Sequence, residues 1–430
     1  MATVANPGPA ASIATINRAR RWMVAGLCIS IIGTRIVQGG SHGSVANGTL
    51  PVIWIAILAT FGYAIAFAAP ITAKILSRYN PARVLVWSEV TECAISGIAL
   101  AALFLLPQHT IPILVTYLLM AVFFPVVGDV VEEFYGQQLA QLNPQQALAF
   151  NSTIYAVLAA IGLVLAMPMG SVVAGYSLTW LIAANALLSA TGCLFRLVAS
   201  RTVVTAPVAD QDIDDFGPLG KKSTLGDFLR DLTLTGPASP AIAFITQIGG
   251  SIGGMFVYLW IAHNTGWPTA TALGLVIGLF GIGATIGPFL APLLRRLMST
   301  EDALILVFGT CLVILAAAVL GVTFLAAPAN WICGLSYVFL IGLATRCSTV
   351  LITTLRQQSF RGSRFTAIMS WSFSMNALAA IIGNWLGYAL SVNQYPQIGL
   401  LVYLGAIAVV FVVVWRFRHS TKPDSQLVTP

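Results

Sequence analysis

Seven charged side chains stand in stretches otherwise too apolar to hold a charge without a reason. They are Arg35, Glu89, Glu92, Asp129, Glu132, Glu133 and Arg346. A charge at the centre of a bilayer costs about 2.5–3.5 kcal/mol on insertion scales, so each of these residues is a candidate for function. Arg35 falls 13 residues into the first apolar run and Arg346 falls 15 residues into the tenth. Each therefore lies roughly 20 Å from its end of the run, at 1.5 Å per residue. A guanidinium at that depth could grip a carboxylate, phosphate or catecholate with two parallel hydrogen bonds. Its bland alternative is neutralisation by an internal acid or by backbone carbonyls. Asp129, Glu132 and Glu133 share one helical face at i, i+3 and i+4. Asp129 is the deepest of the three, and a desolvated carboxyl there could exchange protons near neutral pH. Glu89 and Glu92 also share a face and read as structural partners of the basic residues in the loop before them. The chain has no HExxH, no phosphate-binding loop and no nucleophile elbow, which argues against an enzyme.

These side chains need elements to carry them, and the composition says which. The 430 residues are 58% hydrophobic and only 8% charged, too little polar surface to cover a globule in water. Crossing about 30 Å of hydrocarbon takes about 20 apolar residues. Twelve runs meet that length: 22–40, 51–73, 84–106, 111–134, 148–168, 175–198, 240–262, 269–294, 302–326, 331–355, 366–390 and 397–415. They are too long for strands and lack a period of two. The expected class is an all-α membrane protein.

The basic residues set the expected orientation. With the amino terminus inside, 19 of the 21 Lys and Arg residues fall on the cytoplasmic side, Arg196 and Arg356 among them, and the other two are Arg35 and Arg346. The net charge of +7 therefore reports topology rather than a nucleic-acid surface. The polar start of the chain reads as a tail before a retained first helix, not as a signal peptide. All six cysteines fall in apolar runs without metal-ligand spacing and read as small packing residues. The histidines are expected at outer helix ends and in the tail, which argues against a histidine proton relay.

The chain also repeats itself. Ala69-Pro70 with Ala73, Leu76 and Arg78 returns as Gly287-Pro288 with Ala291, Leu294 and Arg296. Thr116-Tyr117 returns as Ser336-Tyr337, Gln137-Gln138 as Gln357-Gln358, and Leu158-Ala159-Ala160-Ile161 as Leu378-Ala379-Ala380-Ile381. A nearly constant offset across four places indicates duplication. The predicted organisation is a tail (1–21), a six-helix bundle (22–198), a polar linker with a short interfacial helix (199–239), a second six-helix bundle (240–415) and a tail (416–430). The halves have the same topology, related by an axis along the membrane normal.

Several segments resemble the major facilitator superfamily. The loop Leu76-Ser77-Arg78-Tyr79-Asn80-Pro81-Ala82-Arg83-Val84-Leu85 is similar to the family's A-D-R-x-G-R-R-x-x-L pattern, with Ser77 for the acid and Asn80 for the glycine. Ser88-Glu89-Val90-Thr91-Glu92 resembles an S-D-x-x-R segment, with Glu92 where Arg is usual. Asn143 to Asn151 resembles the entry to helix 5. Gly162-Leu163-Val164-Leu165-Ala166-Met167-Pro168-Met169-Gly170 is similar to the antiporter signature G-x-x-x-x-P-x-x-G, its proline one place late. The likeness is to the drug/proton antiporter branch that includes macrolide and enterobactin exporters.

That resemblance implies that helices 1, 4, 7 and 10 line a central cavity. Arg35 and Arg346, with Phe123, Phe124, Tyr258 and Trp371, are then the expected substrate contacts, and Trp260 and Phe373 are further aromatic candidates. Asp129, Glu132 and Glu133 are the expected proton-coupling acids. Arg78, Arg83, Glu89 and Arg296 are the expected inner gate, with Arg356 as another partner for the helix 4 acids. The glycines of helices 7 and 8 read as tight packing or as rocking contacts.

The expected function is proton-coupled export of a bulky amphipathic small molecule, such as a siderophore, antibiotic or peptide-like metabolite, by alternating access. No cofactor is implied, because the proton gradient is the driving force. The expected partners are the small-molecule substrate, protons and the lipid bilayer, with no nucleic acid, and the expected state is a monomer. The expected location is the inner (cytoplasmic) membrane, multi-pass, with both termini cytoplasmic. Two alternatives stay open: an importer or uniporter of a small metabolite, and a non-transporting receptor or enzyme.

Overall fold

The computed structural model of the chain describes residues 13–67, 75–76, 79–121, 131, 158–175, 177–202, 236–359 and 362–416. The first six helices are α1 (Ile13–Ala46), α2 (Ile53–Phe67), α3 (Pro81–Leu105), α4 (Thr110–Ala121), α5 (Ala159–Ala174) and α6 (Leu178–Thr202). The next six are α7 (Pro240–Asn264), α8 (Thr269–Leu297), α9 (Thr300–Phe324), α10 (Ala329–Ser359), α11 (Gly362–Ala389) and α12 (Pro396–Arg416). Each predicted run corresponds to one helix, and no strand occurs among the described residues.

Local chemistry sets the ends. Asn80 caps α3 by accepting from the Ala82 and Arg83 amides, with Pro81 in the first turn. Ser239 caps α7 in the same way, ahead of Pro240. Ser299 caps α9, whose first turn carries Glu301 and Asp302 where the helix dipole favours acids. Gly266 breaks the chain between α7 and α8 at φ 75°, a conformation that suits glycine.

Three boundaries differ from expectation. Helix α1 starts at Ile13, inside the predicted tail, and runs past residue 40 to Ala46 because no proline interrupts it. His42 therefore belongs to the helix rather than to the loop after it. Helix α5 was expected to stop at its proline but continues to Ala174. Ala159–Ala166 is π-helical, and Pro168 falls in the first turn of the α-helical part that follows. The ring therefore sits where a missing amide is tolerated.

Seven of the described helices are long and apolar enough to cross a membrane: α3, α6, α7, α8, α9, α10 and α12. Helices α1 and α11 are also long, at 34 and 28 residues, but carry more Ser, Asn and Gly. Helix α1 packs on α5, α6 and α8, and α11 on α7 and α2. Within the first half, α1 lies against α5 and α6, and α3 against α6. Within the second, α7 lies against α11 and α12, α8 against α10, and α9 against α10 and α12. The halves meet along α2 with α11 and α5 with α8.

Candidate functional site

The charged candidates fall into three groups. Arg35 is half-buried on α1, where its Nη1 donates to Gln38 Oε1 at 2.6 Å. Its stem lies over Gly162 in the π-helical part of α5; a Cβ there would be 3.2 Å from Arg35 Cγ. Such π segments concentrate at functional sites. Arg346 is half-buried on α10, and its charge acts on Tyr258 of α7. The Tyr258 ring packs on Phe280 of α8, with centroids 6.0 Å apart. Each half thus contributes one arginine, and each arginine stands beside a second helix of its own half. Trp371 is half-buried on α11.

The predicted gate residues separate. Arg83 and Arg296 are exposed, in the first turn of α3 and the last turn of α8. Arg356 is 6% exposed and serves the backbone: its Nε donates to Ala238 O at 3.0 Å and its Nη2 to Ser239 O at 3.2 Å. It therefore ties the end of α10 to the start of α7. Phe123, Phe124, Asp129, Glu132, Glu133 and Arg78 lie outside the described residues.

The third group corrects the sequence reading. Among the described residues Glu89 has no partner in the loop before α3. It is 2% exposed and pairs with Arg196 of α6, 3% exposed, at 3.3 Å. Arg196 is therefore a buried partner rather than an exposed topological marker. One turn along α3, Glu92 Oε1 accepts from Asn185 Nδ2 at 3.1 Å and from Thr34 Oγ1 of α1 at 3.5 Å. The same Asn185 Nδ2 is 2.9 Å from the Tyr117 hydroxyl of α4 and 3.2 Å from Ser96 Oγ. Glycines make the room. A Cβ at Gly26 would lie 2.8 Å from Arg196 Cγ, and one at Gly33 would collide with Asn185 Oδ1. The result is a polar network inside the first half, joining α1, α3, α4 and α6. Its sequence signal was the single polar face of α6, on which Asn185, Ser189 and Arg196 recur at helical spacing.

Polar contacts also join the halves. Ser171 Oγ near the end of α5 donates to Ala270 O at the start of α8, 2.8 Å away. Trp385 Nε1 of α11 donates to Thr60 Oγ1 of α2 at 2.9 Å, and Ser374 Oγ to Phe67 O at 2.9 Å. The Ser171 contact joins α5 to α8 near the ends that are poor in Lys and Arg. Small residues allow the close approach: a Cβ at Gly281 of α8 would lie 2.5 Å from Leu163 C. Among the described residues no group of three His, Cys, Asp or Glu side chains could hold a metal ion.

No family model and no curated protein matches the sequence. Solved structures do match over nearly the whole chain. A bacterial homologue of the iron transporter ferroportin in its outward-facing state superposes with a TM-score of 0.68 at 17% identity, covering 93% of this chain and 99% of that one. Its inward-facing state gives 0.64 at 16% identity, over 94% and 99%. The human organic anion transporter MFSD10 gives 0.63 at 14% identity, over 93% and 99%. These likenesses show the fold, an all-α arrangement of twelve helices in two six-helix bundles that these transporters share.

Proposed function

We propose that this protein is a secondary transporter that moves a bulky amphipathic organic molecule, anionic ones included, out of the cytoplasm in exchange for protons. The observation that carries the reading is the pair of half-buried arginines, Arg35 and Arg346, one on each half of the fold. Burying a guanidinium in a membrane protein is costly, and a bound anion would offset that cost. The aromatic pair Tyr258 and Phe280 beside Arg346 would suit an apolar portion of the same molecule. Alternating access follows from rocking the halves about the α2–α11 and α5–α8 contacts. The hydrogen bond at Ser171 would then break and re-form in each cycle.

In this reading the chain works as a monomer in the cytoplasmic membrane with both termini inside, and the Ser171 end of α5 is external. Asp129 loads and releases the proton, with Glu132 and Glu133 nearer the inner face. The Lys and Arg distribution supports the orientation, and the likeness of helix 5 to the antiporter signature supports the coupling.

The test is transport in proteoliposomes loaded with a pH-sensitive dye, against a panel of siderophores, antibiotics and organic anions. Substrate-dependent proton flux that is lost in Arg35→Gln and Asp129→Asn supports the proposal. Uptake driven by an inward proton gradient would make the protein an importer. Flux untouched by both substitutions would remove these residues from the mechanism.

A further inference from the structure

The buried network of the first half is built from side chains other than Arg35 and Arg346, and among the described residues its charges do not balance. Glu89 and Glu92 are 2% and 5% exposed, one turn apart on α3. The groups that face them are Asn185, Cys193 and Arg196 of α6, Tyr117 of α4, and Ser30 and Thr34 of α1. Arg196 is the single cation in that set, and it pairs with Glu89. Among the described residues no cation lies within 4.0 Å of Glu92, whose Oε1 is met by two neutral donors, the Asn185 amide and the Thr34 hydroxyl.

Two ionised carboxylates sharing one guanidinium in a dry site would leave a net buried charge, which is strongly disfavoured. A proton on one carboxyl removes it. The carboxyl without the cation is the one that gains by holding the proton. The site also has unmatched lone pairs, since Asn185 Oδ1, Ser189 Oγ and Glu89 Oε2 are buried without a hydrogen-bond partner. Structural polar plugs are normally satisfied throughout.

We propose that Glu92 is a proton-binding centre of this chain, placed inside the wall of the first half rather than in the central cavity, and that α1 reads its charge through Thr34. A proton from hydronium in the aqueous phase binds one carboxylate oxygen, and the hydronium is left as water. Thr34 precedes Arg35, Arg35 rests on Gly162, and the next residue of that π segment, Leu163, meets Gly281 of the opposite half. A change in charge at Glu92 thus has a continuous packed route to the contact between halves. The inference rests on the proposed proton coupling and adds to it a second, peripheral acid.

Infrared difference spectra of the purified full chain in lipid nanodiscs test it without a substrate. Wild type shows the C=O stretch of a protonated carboxylic acid at neutral pH, and the band disappears on alkaline titration. In an Asp129→Asn background, which removes the other proposed proton carrier, Glu92→Gln removes the band, whereas Asp302→Asn, at an exposed acid of α9, keeps it. A band that survives in Glu92→Gln, or is absent from wild type throughout the pH range of the folded protein, overturns the proposal. Bleaching by sodium at constant pH overturns it too, in favour of a cation site. Should Glu92→Gln fail to fold, Thr34→Val serves, because it keeps the carboxyl and removes one donor. The band then shifts in frequency, and an unmoved band overturns the assignment. If the band behaves as expected but no substrate drives proton flux, the coupling reading fails and the proton site stands.

Discussion

Where α3 meets α6, Glu89, Glu92 and Ser96 stand with Asn185, Ser189 and Arg196. Where α9 meets α12, Phe308, Cys311 and Leu315 stand with Tyr403, Ile407 and Val414. Aligned on their first residues, α3 with α9 and α6 with α12, these are the same positions, and all twelve side chains are buried. Tyr117 and Tyr337, buried on α4 and α10, complete each cluster. Tyr117 joins the Asn185 amide, whereas Tyr337 lies beside Cys311. The second half shows that this helix arrangement can be packed with no charged side chain at these positions. The network of the first half is therefore not needed to build the fold, and a buried ion pair is seldom a net source of stability. Its retention points to a role that an apolar core cannot perform, the switching of charge proposed for Glu92.

The comparison can be broken most sharply at Arg196. Arg196→Met strands the Glu89 carboxylate, and thermal unfolding in detergent is expected to lose about 3–5 kcal/mol of stability. Copying the second half's residues, Glu89→Phe with Arg196→Val, is expected to restore stability to within about 1 kcal/mol of wild type. If the double variant is as poor as the single one, the two halves are not interchangeable in packing and the comparison fails.

A smaller effect is expected where α1 closes on the network. In Gly33→Ala the new methyl meets Asn185 Oδ1 and lies 3.3 Å from Leu188 Cβ, while in Gly254→Ala on α7 it meets nothing within 4 Å. The first should cost about 1–3 kcal/mol by overpacking and the second less than about 0.5 kcal/mol, read as a difference in melting temperature. Equal shifts would mean that α1 is not held tightly against α6. The smallest effect belongs to Tyr117→Phe, which removes one hydroxyl beside Asn185 at 2.9 Å. A loss near 0.6 kcal/mol is expected, the usual worth of a side-chain hydrogen bond between membrane helices.

Much of the architecture was legible because the bilayer imposes a length. Runs such as 269–294 and 302–326 fall within a few residues of α8 and α9, since few residues near their ends can continue or stop a helix ambiguously. The duplication was visible as recurring pairs, Tyr117 with Tyr337 among them. Helix α5 was misjudged at its end because a proline normally stops a helix, and a preceding π turn is not legible in hydropathy.

The site was legible in part. Arg35 and Arg346 stand out in any apolar run, and both prove half-buried. Glu89 and Glu92 were seen to share a face, but the basic residues nearest in sequence were taken as their partners. Arg196, 107 positions further on, was counted as an ordinary inner-side charge.

The sequence by itself determined how many helices cross, where they lie along the chain, and that one half descends from the same pattern as the other. It did so because hydrocarbon thickness and the cost of a stray charge act on each segment separately. Only the tertiary structure decided which face of α3 meets which face of α6, and so which acid meets the arginine and which is left with neutral donors. The rotation of a helix about its axis is set by close contacts, here at Gly26, Gly33 and Gly192, with residues far away in the chain.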